Sequence, residues 1–501
     1  MDNVAKLRDE INDWVDRVLP KDYPSYFPTD NKLIREAVLG YHLLKPHEYI
    51  ILDSPIVQRL RYIHQTALTY LIYPTATHTR FDHSLGVARI AERIGDMIGL
   101  EKSQICELRL AAILHDVGHC FFSHISEGLI KTRFKETFLQ IKEDPLFADS
   151  KTHEILSYFI VSSPNFTYFL QKILDYYKID IDVNRISRLI IGKPEDPKRF
   201  AQMGDIINGP FDSDKLDYLV RDCYFTGIRA DIDVDRVVIC SRKLDVSVFT
   251  GYPNANLIMT STGVSNLEQV TLNKILLFSA IYHHHKVRAT ECMVKSIFEI
   301  IWSDTSKIKN EQLRFNKITD FFNLDEFHLL SMGMYEEAIS PLINRLLKRD
   351  LLKRSLIIAP KFIESSDTYD QHDIFKLGEE FPEQIDDLRE FIWEEIPKSD
   401  RTSYHDLWVD LPEPPNVDAD VDRCWIDLGN KKDLKRLRDF LPYGEWLDAY
   451  EANKLQGHVF YTNDNSCRNS ANKAARTVFT ELYGIKFNPS ATDNCKYTTS
   501  N

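Results

Sequence analysis

Through most of the first 300 positions, apolar residues recur every third or fourth place. "SLGVARIAERIGDMIGL" (84–100), "DKLDYLVRDCYF" (214–225) and "KILLFSAIYHHHKVRATECMVKSIFEII" (274–301) all carry this spacing, which predicts helices with one buried face. Val4, Leu7, Ile11, Val15 and Leu19 repeat it, so residues 1–50 read as a helical lead-in whose charged positions suit a surface helix and not a signal peptide. Gly and Pro cluster in "IGKPEDPKRFAQMGDIINGPFDS" (191–213), which reads as a looser segment. Around 233–262, β-branched runs between turn residues predict a small hairpin or sheet insertion.

Past residue 310 the texture changes. "LLKRSLIIAP", "HDLWVDLPEPPNVD", "RCWIDLG" and "GHVFYTND" are short strand-like runs among helical stretches such as "KKDLKRLRDFLPYGEWLDAYEANKL". The expected fold is therefore mainly α: a helical domain over 51–305 with small β insertions, then a mixed α+β lobe over 306–487 and a polar, mobile tail over 488–501.

Composition narrows the setting. There is no run of 18 apolar residues, so no transmembrane helix is expected. The 62 Lys and Arg against 75 Asp and Glu give a net charge of −13, which disfavours duplex nucleic acid and anionic membranes as partners. Eight cysteines without a CxxC pair read as reduced thiols in a cytoplasmic protein.

One apolar run breaks its own pattern. "LAAILHDVGHCFFSH" (110–124) places His115, Asp116, His119 and His124 in a stretch that otherwise reads as buried helix. A buried Asp is costly unless paired, hydrogen-bonded or metal-bound. Three other segments offer partners: "HTRFDHSLGV", with His78, Arg80 and His83 just before a helix; "THEILSYF", with His153 and Glu154; and "FDSDKLDYLVRDC", where Asp214, Tyr218 and Asp222 at i, i+4 and i+8 share a helix face. Two imidazoles with two carboxylates suit a divalent ion such as Fe, Mn, Zn, Co or Ni. Singly, each segment is more simply a satisfied core histidine or a solvated face.

In this order the segments resemble the H…HD…D pattern of the HD superfamily of metal-dependent phosphohydrolases. "LDSPIVQRLRYIHQTALTYLIYPTATHTRFDHSLGV", "AAILHDVGHCFFSH" and "DSDKLDYLVRDC" are similar to SAMHD1-like and bacterial deoxynucleoside triphosphate triphosphohydrolases over about 45–130 and 205–300. That resemblance implies an HD-domain core and a metal held by His83, His115, Asp116 and Asp214, with Mg as a second ion on the triphosphate. It implies His119 as general acid oriented by Glu127 and His153. It places Arg80, His124 and Lys215 near the phosphates, and Gln65, Tyr218 and Asp222 around the sugar. Tyr282 or His283 would be a sugar-side residue, and Lys274 would replace a phosphate-binding Arg. Asp53, Gln58, Arg61 and Phe81 match a regulatory nucleotide site where subunits meet, in a dimer-based oligomer, tetramer or hexamer.

The implied reaction is attack of metal-held water on the α-phosphorus of a dNTP, releasing deoxynucleoside and triphosphate. Its use would be pool homeostasis or antiviral defence. Three positions depart from the pattern: Cys120–Phe121 stands for Gly-Pro, Thr66 for an apolar residue, and "AIYHHHKV" for an aromatic-x-His-Lys run. Two rival readings stand beside this one: another HD phosphohydrolase acting on monophosphates, cyclic nucleotides or guanosine polyphosphates, and a nucleotide sensor without turnover.

Overall fold

A computed structural model of the chain describes residues 3–244, 257–365, 374–375, 382–429 and 433–492. The chain forms two compact units. The first comprises Met1–Asn273, Phe315–Leu329 and Val417–Leu441, and the second comprises Lys274–Arg314, Leu330–Asn416 and Pro442–Asn501.

The first unit is a helical core. The helix Arg80–Met97 packs along Lys102–Leu114 and across Ser213–Thr226. Leu85, Val87, Ile90, Ile94, Leu108 and Ile113 are buried at that junction, which accounts for the apolar periodicity. Gly86 permits one close approach: an added Cβ would lie 1.8 Å from Asp217 Oδ1. At its edge runs a four-stranded sheet in the order Ser241–Lys243, Leu257–Thr260, Trp425–Asp427 and Leu434–Arg436, with the middle pair parallel.

The second unit carries a three-stranded antiparallel sheet in which Gly457–Tyr461 lies between Lys353–Ile358 and Trp408–Asp410. The helices His285–Ser303 and Asn465–Tyr483 pack on it. The mainly helical core and the mixed α/β C-terminal region match the expected class. No helix among the described residues is long and apolar enough to cross a membrane.

Four local expectations are corrected. The lead-in is helical over Asn3–Val18 and again from Pro46, and between them Lys32–Glu36 and Gly40–Leu44 pair as an antiparallel hairpin whose connection ends at Gly40 with φ +79°. The loose segment contains the helix Pro197–Asn208, because a proline at the first helical position starts a helix instead of breaking it. Arg80 and His83 lie inside the first turn of their helix, which Thr79 and Asp82 cap reciprocally. The helix Lys102–Leu114 ends before His115 and Asp116, so these two sit on the turn that follows. In the 233–262 stretch, Ser241–Lys243 pairs with Leu257–Thr260 as expected, while 245–256 falls outside the described residues, as do 493–501 of the tail.

Candidate metal centre and active site

Four chain segments of the first unit converge on Asp116. His83, His115 and Asp214 each present a donor atom within 4.8 Å of the others, and Asp116, His119 and His153 form a second such group. Asp116 joins them: its Oδ2 lies 3.8 Å from His83 Nε2, and its Oδ1 lies 3.2 Å from His115 Nε2 and 3.5 Å from His119 Nε2. His83 Nε2 is 2.9 Å from Asp214 Oδ1.

The protons on the far side of each ring are assigned by their partners. His115 Nδ1 donates to the carbonyl of Ala112 at 2.7 Å, and His83 Nδ1 donates to Asp217 Oδ2 at 2.8 Å. Both Nε2 atoms therefore face the carboxylates, and His115 Nε2 is buried without a hydrogen-bond partner. An orphaned ring nitrogen between two carboxylates, with oriented outer partners, fits a divalent metal. Burial alone would raise the Asp214 and Asp116 carboxyls. The His83 bond holds Asp214 well below the usual range, and the charges of His115, Arg80 and His83 do the same for Asp116.

His119 is buried and neither ring nitrogen has a hydrogen-bond partner. Its ring stacks on His153 at 4.0 Å and 19°. His153 Nδ1 donates to Glu127 Oε2 at 3.1 Å, and Glu127 Oε1 also caps the next helix by accepting from the Thr152 N–H at 3.0 Å. Burial, reinforced by the charges of Arg80, His153, His124 and His115, pushes the His119 ring well below its ordinary value. For His153 burial acts downward, but the Glu127 charge and bond win and raise it.

Around this core, Arg80 donates to Asp116 Oδ2 at 2.8 Å and to Ser123 Oγ at 3.1 Å, with His124 Nε2 at 3.4 Å. A cleft with about 320 Å³ of empty space opens beside His115, Asp214, His153, Lys151 and Asn208. Gln65 is buried and its Oε1 has no partner. Lys215 Nζ is committed to the Gly209 carbonyl and Asp212 at 2.6 and 2.7 Å, and Asp222 accepts from His78 Nε2 at 2.7 Å. Tyr218 lies between Asp214 and Asp222 on the helix Ser213–Thr226, half-buried. Lys274 and Tyr282 belong to the second unit; there Lys274 donates to the Asn416 carbonyl, and the Tyr282 ring meets Phe278 at 5.0 Å. The four regulatory candidates do adjoin one another. Gln58 reaches Asp53 at 3.5 Å and accepts from Arg61 at 2.8 Å, and the Arg61 guanidinium lies 3.6 Å from the Phe81 ring centre.

Several supports were invisible to the sequence reading. Asp217 is gripped by Arg221 at 2.8 and 2.9 Å. Ser157 Oγ donates to the His115 carbonyl at 2.6 Å and accepts the Gly118 N–H at 2.8 Å. Arg59 donates to the His119 carbonyl at 2.7 Å and to that of Val117. Only the Asp217–Arg221 i,i+4 pair left a mark in the spacing.

A helical core that gathers His and Asp donors from separated helices defines a metal-binding α-helical protein. Comparison with known sequences makes the class specific: residues 80–182 match the HD domain, and residues 241–479 match the HD associated region. The chain thus carries an HD domain followed by an HD associated region.

An uncharacterized protein of Methanocaldococcus jannaschii is 30% identical over 323 residues, covering 64% of this chain and 59% of that one. The deoxynucleoside triphosphate triphosphohydrolase SAMHD1 of Gallus gallus is 25% identical over 428 residues, covering 80% and 64%. The chain thus spans about three-fifths of the length of these relatives. A crystal structure of a hypothetical protein from Aquifex aeolicus shares the fold, with a TM-score of 0.60 at 23% identity over 89% of this chain and all of that one.

Proposed function

We propose that the chain is a metal-dependent phosphohydrolase that cleaves deoxynucleoside triphosphates to deoxynucleoside and inorganic triphosphate. The observation that carries this reading is His119, buried, without a hydrogen bond from its ring and stacked on a carboxylate-paired histidine, beside the His83, His115 and Asp214 group. The SAMHD1 relatives, which are named for this activity, point to the substrate class.

His83, His115, Asp116 and Asp214 would hold a divalent ion, which would supply Lewis-acid charge to a phosphoryl oxygen and lower the pKa of water. The rest falls to the chain's own groups. Arg80, held by Asp116 and Ser123, faces the phosphates with a fixed guanidinium and stabilises charge without rearranging, with His124 beside it. The negative charge of a bound polyphosphate raises the proton affinity of His119, which then protonates the leaving 5′-oxygen. Glu127 holds His153, and His153 holds the His119 ring in its plane. Gln65 recognises a sugar hydroxyl, with Tyr218 and Asp222 beside it. Lys215, on the same helix as Asp214, completes the substrate contacts.

The Asp53, Gln58, Arg61 and Phe81 group is the proposed regulatory nucleotide site, in a homo-oligomer. The seven described cysteines are free, as a reducing compartment such as the cytoplasm would leave them.

The test is a product assay on the purified chain with Mn²⁺, offering each dNTP alone and then all four together. Intact triphosphate with deoxynucleoside supports the proposal, and turnover only in the mixture supports nucleotide activation. Orthophosphate or pyrophosphate indicates another HD phosphohydrolase, and binding without product indicates a sensor.

A further inference from the structure

One carboxylate outside the donor set touches both the loop before Gln65 and the turn between His119 and His124. Glu326 opens the helix Glu326–Gly333, 204 residues beyond Phe122, and its side chain is 4% exposed. Oε1 accepts the backbone N–H of Phe122 at 3.0 Å and that of His64 at 3.2 Å, while Oε2 pairs with His64 Nδ1.

The turn needs such an anchor. Phe122 and Ser123 hold φ of +56° and +48°, in the left-handed region that residues with a Cβ enter only at a cost. Phe122 is fully buried, so without Glu326 its N–H would lose its acceptor in a place water does not reach. Both penalties would be relieved if the turn relaxed. The consequence would travel, because Ser123 Oγ donates to the His64 carbonyl at 2.6 Å and accepts from Arg80 Nε, and Arg80 donates to Asp116. Glu326, His64, Ser123, Arg80 and Asp116 form one unbroken series of hydrogen bonds.

We propose that Glu326 is a positioning residue: it fixes the 119–124 turn and the His64–Gln65 loop in one register, so that His119, His124 and Arg80 meet the phosphates while Gln65 meets the sugar. The proposal rests on the phosphohydrolase reading for its kinetic consequence and on the bonds above for its geometry.

Two variants of the full chain test it. Glu326→Gln keeps the Oε1 acceptor for both backbone N–H groups and is expected to hold kcat within about 3-fold. Glu326→Leu removes every acceptor and is expected to lower kcat on the order of 10²-fold, with KM and Mn²⁺ content little changed, at a temperature where circular dichroism shows it folded. A folded Glu326→Leu with wild-type kcat overturns the proposal. So does a Glu326→Gln variant as impaired as Glu326→Leu, since the acceptor alone would then not matter. Should Glu326→Leu not fold, Ser123→Ala interrupts the same series with little change of volume. It is expected to lose roughly 10-fold in kcat, by the same argument from misplacement, and wild-type kcat there is equally fatal.

If the wild-type chain turns over no nucleotide, the functional reading has failed and the geometry is read separately. With ¹⁵N-labelled histidine, the His119 and His124 ring signals should shift in Glu326→Leu and stay in Glu326→Gln. Unshifted signals in a folded Glu326→Leu reject the positioning role.

Discussion

Asp217 accepts the Nδ1 proton of His83 at 2.8 Å, and its two oxygens are themselves held by Arg221. The carboxylate cannot swing away, so the imidazole is fixed in rotation and in tautomer, with Nε2 turned toward Asp116 and Asp214. Outer partners of this kind typically contribute 10- to 100-fold to metal affinity. Asp217→Asn should therefore weaken Mn²⁺ binding by about that factor. Titration calorimetry on the chelated, refilled protein measures it, and an unchanged affinity would detach Asp217 from the metal centre.

Asp116 belongs to the second donor group and lies 3.2 Å from His115 of the first. Asp116→Ala should leave the purified protein without stoichiometric metal and without turnover. Chelating the wild type should lower Tm, and adding metal back should restore it in a concentration-dependent way, because a ligand bound only to the folded state stabilises by mass action. Elemental analysis paired with thermal melts decides this. A metal content unaffected by Asp116→Ala would remove Asp116 from the donor set.

The His119 ring makes no hydrogen bond, so its loss should spare the scaffold. His119→Asn is expected to keep its metal and its Tm within a few degrees while losing roughly 10² to 10⁴ in kcat, the usual contribution of a general acid. Parallel loss of metal would assign the ring to the donor set instead.

Gly118 is pressed against the helix Thr152–Val161: an added Cβ would sit 2.3 Å from the His153 carbonyl oxygen and 2.5 Å from the Ser157 N–H nitrogen. Both neighbours are backbone and cannot step aside. Gly118→Ala should cost about 1–3 kcal/mol of stability, as overpacking does, and should also reduce turnover by moving His153 away from His119. Denaturant melts and kinetics on the same sample check both effects.

Three histidines, two of them buried and His283 half-buried, set an acid limit. Burial, the largest cause in each, pushes His283 and His458 down to about 3 and His47 down to about 4. In the unfolded chain they titrate near 6.5. Between those values the unfolded state binds more protons, so the stability these rings contribute is complete above about 6.5 and is lost as pH falls toward 4. The slope is roughly 1.4 kcal/mol per pH unit for each ring. His458 has no hydrogen-bond partner for either nitrogen and lies beside Phe460, with ring centres 5.0 Å apart. His458→Phe should flatten the fall in Tm between pH 6.5 and 4, and a slope identical to wild type would refute the assignment.

The candidate donor segments stand out in the sequence, but which of their residues to join comes from the resemblance and not from spacing. Asp214, Tyr218 and Asp222 do share a helix, and an Asp in an apolar run does signal something that offsets its burial. The supports do not stand out in this way. Ser157, Arg59 and Glu326 bond to backbone atoms of distant segments, and a backbone acceptor leaves no trace in side-chain pattern. Asp217 was passed over because attention to one helix face left its neighbour unread. The hairpin at 32–44 lies in a stretch too short and too mixed for its alternation to stand out, and a Gly- and Pro-rich stretch reads as loose even where, as at Pro197, a proline begins a helix.

The way the chain returns to its first unit bears on how the protein is made. After Asn273 that unit still lacks Phe315–Leu329 and Val417–Leu441, which bring Glu326 and two of its four sheet strands. A ribosome adding 5–20 residues per second reaches Leu441 roughly 8 to 34 s after Asn273. For that interval the nascent HD segment carries an uncapped strand edge, and for roughly the first 3 to 11 s of it, until Glu326 is added, its turn lacks a carboxylate. Truncated forms ending near residue 305 are frozen in the same state, so they should aggregate when expressed alone and need the later segments supplied with them.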